Sequence, residues 1–245
     1  VGVLVLKLIK LKGIVIKEVT YSDNDKIITV LTDELGTITC MAKGAKRTNS
    51  SILASSQYLV YSEFVLFKGS TFYHVNSAST ISTFYHLRVD FDKLSLVFPI
   101  TKSILTLTDE NVDTSNILKL FLNTLYVLEN IDKNNILVIN IFRVKLLCLL
   151  GFAPQIVNCN RCGCNFKEAE EDIYYDYINN IFMCKDCSKL DNKRYVKVSF
   201  TCVVAIKYII LSDISKVLSL SLKDEYIKDF NTFGQAFIDC ITHGV

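Results

Sequence analysis

Cys159-Asn160-Arg161-Cys162 and Cys184-Lys185-Asp186-Cys187 are two C-x-x-C pairs about 20 residues apart, and no other feature constrains this chain as much. A C-x-x-C turn lets two thiolates converge on one ion without strain, and two such turns complete a closed tetrahedral Zn²⁺ site. Tyr174–Met183 between them reads as a hairpin turning at Asn179-Asn180, which returns the second pair to the first. The expectation is a zinc-ribbon-like finger at about residues 156–190, with Cys159, Cys162, Cys184 and Cys187 as ligands. Four sulfurs leave no open position for water or substrate, so the metal is expected to be structural. Cys164 is a surplus thiol that stands as the alternative to Cys162, whose spacing matches the second pair. Cys40, Cys148, Cys202 and Cys240 fall in strand or helix patterns and are expected to be small buried apolar residues.

Compartment supports the metal reading. The apolar start Val1–Leu6 is broken at once by Lys7, Lys10 and Lys12, too short for an export signal. The apolar stretches Ile136–Leu150 and Phe200–Leu211 are interrupted by Arg143, Lys145 and Lys207, short of the roughly 20 residues a membrane span needs. A cytoplasmic chain with no membrane partner is expected, its thiols reduced and free for metal rather than paired as disulfides.

The first third has the pattern of strands. Gly13–Thr20, Lys26–Thr32, Thr37–Ala42, Tyr58–Phe67 and Thr71–Ser77 are short and rich in β-formers. Turn chemistry separates them at Tyr21–Asp25, at Asp33–Gly36, where Gly36 is free to take positive φ, and at Lys68-Gly69-Ser70. Five strands in about 80 residues suit a small barrel, an OB-fold being the commonest version and an SH3-like barrel the alternative. From about Phe84 the apolar period becomes helical. Ser115–Ile131, Asn134–Leu150, a helix capped by Ser199 and running to Leu211, and Lys223–Thr242 are the clearest helices. The fold class is therefore α+β and multidomain. Residues 1–82 form the barrel, and residues 83–245 form an all-α domain carrying the finger.

A basic run, Lys43-Gly44-Ala45-Lys46-Arg47, follows the third strand and supplies three cations in five residues, suited to gripping phosphates. The net charge is only +2, so nucleic acid would be held by a local patch and not by a whole-molecule field. The run lacks the G-x-x-x-x-G-K-[ST] spacing of a nucleotide-binding loop. Catalysis has poor candidates: His74, His86 and His243 are far apart, and Asp23 and Asp25 have an ordinary place in a turn. No enzymatic activity is expected. The rivals are an RNA-binding barrel with a zinc ribbon and a zinc-finger nuclease or modifying enzyme.

Several motifs then occur in the order and spacing of a known family. Gly13-Ile14-Val15-Ile16-Lys17, Asp25-Lys26-Ile27-Ile28-Thr29-Val30-Leu31-Thr32, Glu34-Leu35-Gly36 and Ala42-Lys43-Gly44-Ala45-Lys46-Arg47 resemble the amino-terminal domain of the RecO recombination mediators. Phe84-Tyr85-His86-Leu87-Arg88 and Asp92-Lys93-Leu94 resemble the start of that family's helical region. Phe142-Arg143-Val144-Lys145-Leu146-Leu147, Leu150-Gly151-Phe152-Ala153-Pro154 and the first cysteine pair resemble its central signature. The resemblance runs from about residue 7 to the carboxyl end, leaving Val1–Leu6 ahead of the family's usual beginning. It implies an OB-fold, a helical domain with a zinc finger, binding of single- and double-stranded DNA, and strand annealing. It also implies, in the RecF pathway, recombinase loading together with RecR, with single-strand-binding protein as a further contact and a place at the nucleoid. On that reading Lys43, Lys46 and Arg47 contact phosphates, Lys10, Lys12, Lys17 and Lys68 are weaker candidates, and Tyr21 or Tyr73 stacks bases.

Overall fold

Runs of β-branched residues at period two build the first part of the molecule. The computed structural model describes residues 7–166, 172–190 and 195–242, and Val1–Leu6 and His243 lie outside them. Five strands come first: β1 (Leu8–Thr20), β2 (Lys26–Thr32), β3 (Thr37–Ala42), β4 (Tyr61–Lys68) and β5 (Tyr73–Ser82). β2 and β3 have the bounds read from the sequence. β1 begins at Leu8 rather than Gly13, because Lys10 and Lys12 alternate with inward-facing neighbours and stay exposed while Leu11 is buried. β4 begins at Tyr61 because Leu59, at φ 61°, is in the left-handed region and cannot continue a strand. The sheet order is β1-β2-β3-β5-β4, with β4 pairing back onto β1. Closure rests on a short parallel contact, Cys40 beside Tyr73 and Met41 beside His74, while every other pairing in the barrel is antiparallel. That strand order is the OB arrangement and resolves the SH3-like alternative.

Leu11, Val15, Ile28, Val30, Ile38, Phe64 and Leu66 fill the barrel. The β2–β3 turn depends on Gly36, at φ +72°, where a Cβ would lie 2.0 Å from the Asp109 carbonyl oxygen. After the barrel come α1 (Tyr85–Val89), α2 (Phe91–Leu107), which packs on β1, and α3 (Ser115–Asn130). The chain divides into two compact units, one up to Leu125 and one from Tyr126, and the division falls within α3.

The second unit contains α4 (Asn135–Leu149), the finger, α6 (Phe200–Leu211) and α7 (Asp224–Thr242). Asn134 caps α4, accepting from the N–H groups of Ile136 and Leu137, and Ser199 caps α6 by accepting from Cys202. Lys145 of α4 is buried, and its ammonium donates to the carbonyls of Ile209, Ile210 and Ser212 at 3.0, 3.2 and 2.7 Å. It thus satisfies the orphan carbonyls at the negative end of α6, which compensates for burying the charge. The finger is built on β6 (Ile173–Asp176), β7 (Ile181–Cys184), β8 (Val196–Val198) and one turn of helix, α5 (Lys185–Ser188). Its sheet order is β7-β6-β8, and the β6–β7 turn has Asn180 at φ 53°, where the sequence put it. Tyr175 stands 4.9 Å from both Phe182 and Phe233, ring centre to ring centre, and so anchors the hairpin to α7. Cys40 and Cys202 are buried as expected, but Cys148 and Cys240 are only half-buried, and Cys240 donates its S–H to the Tyr177 carbonyl. Among the described residues no helix is long and apolar enough to cross a membrane.

Candidate nucleic-acid interface and metal centre

The basic run has a fixed backbone. Ala45 enters the barrel core, the Lys46 N–H donates to the Asn24 carbonyl at 3.0 Å, and the Arg47 N–H donates to the Gly44 carbonyl at 3.1 Å. The Gly44 N–H donates to the Asp25 carboxylate at 2.7 Å, which ties the run to the β1–β2 turn. That N–H holds the Asp25 carboxyl below its ordinary value, burial opposes the shift, and Ser22, Arg47 and Lys43 add to it. Lys43, Lys46 and Arg47 remain exposed on this pinned loop.

The other cations are scattered along β1 and β4. Lys10 pairs with Glu63 at 2.9 Å, and Lys68 pairs with Glu110 at 3.3 Å while lying over the Tyr73 ring. Lys12 and Lys17 are exposed and make no ion pair among the described residues. Tyr21 is exposed in the turn that tethers the basic run. Tyr73 must be corrected: it is a core residue whose hydroxyl donates to Glu110 at 3.1 Å, and its ring cannot receive a base. Sequence reasoning read Asp25 only as a turn residue. Its partner Gly44 is 19 positions away, and no local pattern announces the pairing.

In the finger, the first cysteine pair sits in a tight loop. Cys159 N–H donates to the Cys164 carbonyl at 2.8 Å, and Gly163, at φ +76°, returns its N–H to the Cys159 carbonyl at 2.9 Å. Asn160 and Phe182 exchange two hydrogen bonds, both 2.9 Å, which fasten this loop to β7. Arg161 donates to the Cys187 carbonyl at 3.2 Å, and Asp172 joins Lys185 and Lys197 at the base of the sheet. As a result the sulfurs of Cys159, Cys162, Cys164 and Cys184 all lie within 4.8 Å of one another. The structure thus gathers three of the four expected ligands and adds Cys164, which the sequence treated as surplus. Cys187 is buried beside Cys159 and Met183, and its thiol also interacts with those of Cys159, Cys162 and Cys184. Five sulfurs therefore converge.

The donor chemistry suits a cation. Burial alone would raise the Cys159 thiol, but hydrogen bonds from the backbones of Cys162, Cys184 and Arg161 and from the Cys162 side chain bring it down to about 6. The Cys162 thiol is lowered chiefly by the Cys164 N–H, whereas Cys164 is pushed up to about 12 by the Cys162 side chain and then by burial. Soft thiolates held this closely can take one metal ion.

The molecule is therefore an OB-type barrel with a pinned cationic loop, followed by a helical unit bearing a cysteine finger. Family models agree with that class: one described as Recombination protein O N terminal matches residues 6–84, and one described as Recombination protein O C terminal matches residues 88–240. The chain is 34% identical over 230 residues to the DNA repair protein RecO of Acetivibrio thermocellus, covering 94% of this chain and 90% of that one. It is 31% identical over 239 residues to the DNA repair protein RecO of Caldicellulosiruptor saccharolyticus, covering 96% and 94%. The chain belongs to the RecO family of DNA repair proteins.

Proposed function

We propose that this chain is a non-enzymatic recombination mediator that binds single- and double-stranded DNA and anneals complementary strands. With RecR it assists recombinase loading on single-stranded DNA, with single-strand-binding protein as a further contact, in the cytoplasm at the nucleoid. The observation that carries the reading is the Lys43–Arg47 loop, three exposed cations on a backbone fixed by Asp25 and Asn24. A loop already ordered loses little conformational entropy when it meets phosphates. Lys43, Lys46 and Arg47, joined by Lys12 and Lys17, would neutralise phosphates and release counterions. Lys10 and Lys68 would first have to leave Glu63 and Glu110. Two strands held on one cationic surface repel each other less and pair faster, with no bond made or broken.

On this reading residues 1–82 are the DNA-binding domain and 83–245 the helical domain. The finger would hold one structural Zn²⁺ through Cys159, Cys162, Cys184 and Cys187, with Cys164 adjoining. When bound, the ion contributes folding free energy and no reaction chemistry.

The deciding experiment mixes complementary strands, one with a fluorophore and one with a quencher, and follows quenching with and without the protein. Acceleration is expected without ATP or Mg²⁺, falling steeply with salt. No acceleration at low salt overturns the reading, and so do strand cleavage in the same tube or tighter binding to RNA than to DNA of the same sequence.

A further inference from the structure

A groove of about 520 Å³ opens beside the β1 bulge, between β1, the segment leading into β4, and α2. Ile16, Tyr58, Phe98 and Leu105 line it, with Lys17 and Lys102 at its rim. Tyr58 and Phe98 stack at 5.5 Å with their planes 13° apart, and the Tyr58 hydroxyl is fixed by Thr101 at 2.9 Å. Phe98 is nevertheless 51% exposed, so a ring covered by Tyr58 on one face still offers its other face. Neither rim lysine makes an ion pair among the described residues, and the nearby carboxylate, Glu18, is taken by Lys26 at 2.8 Å.

The helix repeats the pattern. Phe91, Phe98 and Lys102 are spaced seven and four residues apart on α2, which puts them on one face, and Phe91 is 79% exposed. A solvent-facing helical stripe is normally polar, and a core-facing one is not exposed. An aromatic and cationic stripe beside a slot with a ring on its wall alternates stacking surface with positive charge, as a nucleic-acid strand alternates base with phosphate.

We propose that this groove receives a base of single-stranded DNA, stacked on the free face of Phe98, with the flanking phosphates on Lys17 and Lys102. Phe91, about 10 Å along the helix, stacks a second base. Duplex DNA cannot use the slot, because its base faces are covered by their neighbours. The loop at Lys43–Arg47 then grips either form, and the slot supplies the preference for single strands. This inference rests on the DNA-binding reading above.

The test uses the full-length chain with a single-stranded oligonucleotide and a duplex of equal length. Phe98→Leu keeps apolar volume and removes the ring. It should weaken single-strand binding by about 5- to 100-fold while duplex affinity stays within about twofold. Lys17→Gln with Lys102→Gln, at two exposed positions, should weaken single-strand binding without altering thermal unfolding. Photocrosslinking of an iodouracil-substituted strand, mapped by mass spectrometry, should place bases on Tyr58, Phe91 or Phe98. Parent-like single-strand binding by both variants, or crosslinks confined to the Lys43–Arg47 loop, overturns the slot and leaves DNA binding intact. Absence of any DNA binding by the parent at low salt overturns both.

Discussion

The barrel and the finger are held together by different chemistry. The barrel encloses a cluster of Leu, Ile, Val and Phe side chains between five strands, each fully buried one contributing about 1.5–3 kcal/mol. The finger has two strands of four residues, one of three, and a small cluster of Cys159, Met183 and Cys187 flanked by Phe166, Ile181 and Tyr195. A hairpin of that size is marginal by itself. Its cysteine sulfurs face one another, and a cation held among them would tie the two loops together. The barrel carries its stability in side-chain burial, whereas the cysteine end of the finger, on the proposed reading, depends on a bound ion, so either should be able to fail alone.

Breaking the ion should have the largest effect. Cys184→Ser, or a strong chelator, removes a binding free energy on the order of 10 kcal/mol. Hydrogen exchange should then accelerate across β6 and β7 and leave β1–β5 unchanged, with elemental analysis showing metal lost. A metal-free protein whose β6 and β7 amides are as protected as those of the barrel would abolish the contrast. Cys164→Ser sharpens it: if Cys187 completes the site, that variant keeps one equivalent of metal.

Gly36→Ala attacks the barrel alone. The residue sits at φ +72°, and its new methyl would meet the Asp109 carbonyl oxygen at 2.0 Å. A left-handed non-glycine costs about 1–3 kcal/mol before any clash is counted, so thermal unfolding of the first unit should begin several degrees lower. Metal content should stay at the parent value. If the finger releases its ion as readily as the barrel loosens, the two regions are not independent.

What the sequence revealed follows the same divide between local and distant causes. β2, β3, the Ser199 cap and the Asn179-Asn180 turn were legible because periodicity and capping act over a few residues. The start of β1 was missed because two lysines looked like a break, although they occupy the outward positions of an alternating strand. α2 could not be delimited beforehand, with Pro99 in its interior where a helix is expected to stop or kink. The cysteine spacing announced the finger. It did not say that Cys164 would join Cys159, Cys162 and Cys184 within 4.8 Å, since that depends on how the Gly163 turn folds. Tyr73 was misjudged because β5 closes the barrel there, a contact with β3 across more than thirty positions.

The cationic loop belongs to the barrel yet contributes nothing to its core beyond Ala45, so altering it should change binding and not folding. Replacing Lys43, Lys46 and Arg47 with Ala together should flatten the log–log salt dependence of DNA affinity by about 2–3. Thermal unfolding should be unchanged. An unaltered slope would mean that the run is a solvated loop and that DNA is held elsewhere.

The smallest expected effect separates the tether from the charge. Asp25 accepts the Gly44 N–H and also stands near Arg47 and Lys43, so it orders the loop while lowering its positive potential. Asn at this position keeps an acceptor oxygen and removes the charge. Asp25→Asn should therefore raise DNA affinity, by about two- to fivefold at low salt, as expected for one exposed charge. Asp25→Ala removes both and should speed hydrogen exchange at Gly44, with affinity at or below the parent value. The carboxyl is held below its ordinary value in the folded chain, so its contribution is complete above the ordinary carboxylate range and is lost as pH falls through the depressed value. Between pH 8 and about 5 the Gly44 amide should thus keep the same protection once the intrinsic exchange rate is divided out, loosening only in acid. Equal exchange at Gly44 in parent and Asp25→Ala would show that Ala45 and the Lys46 hydrogen bond to Asn24 fix the loop without Asp25.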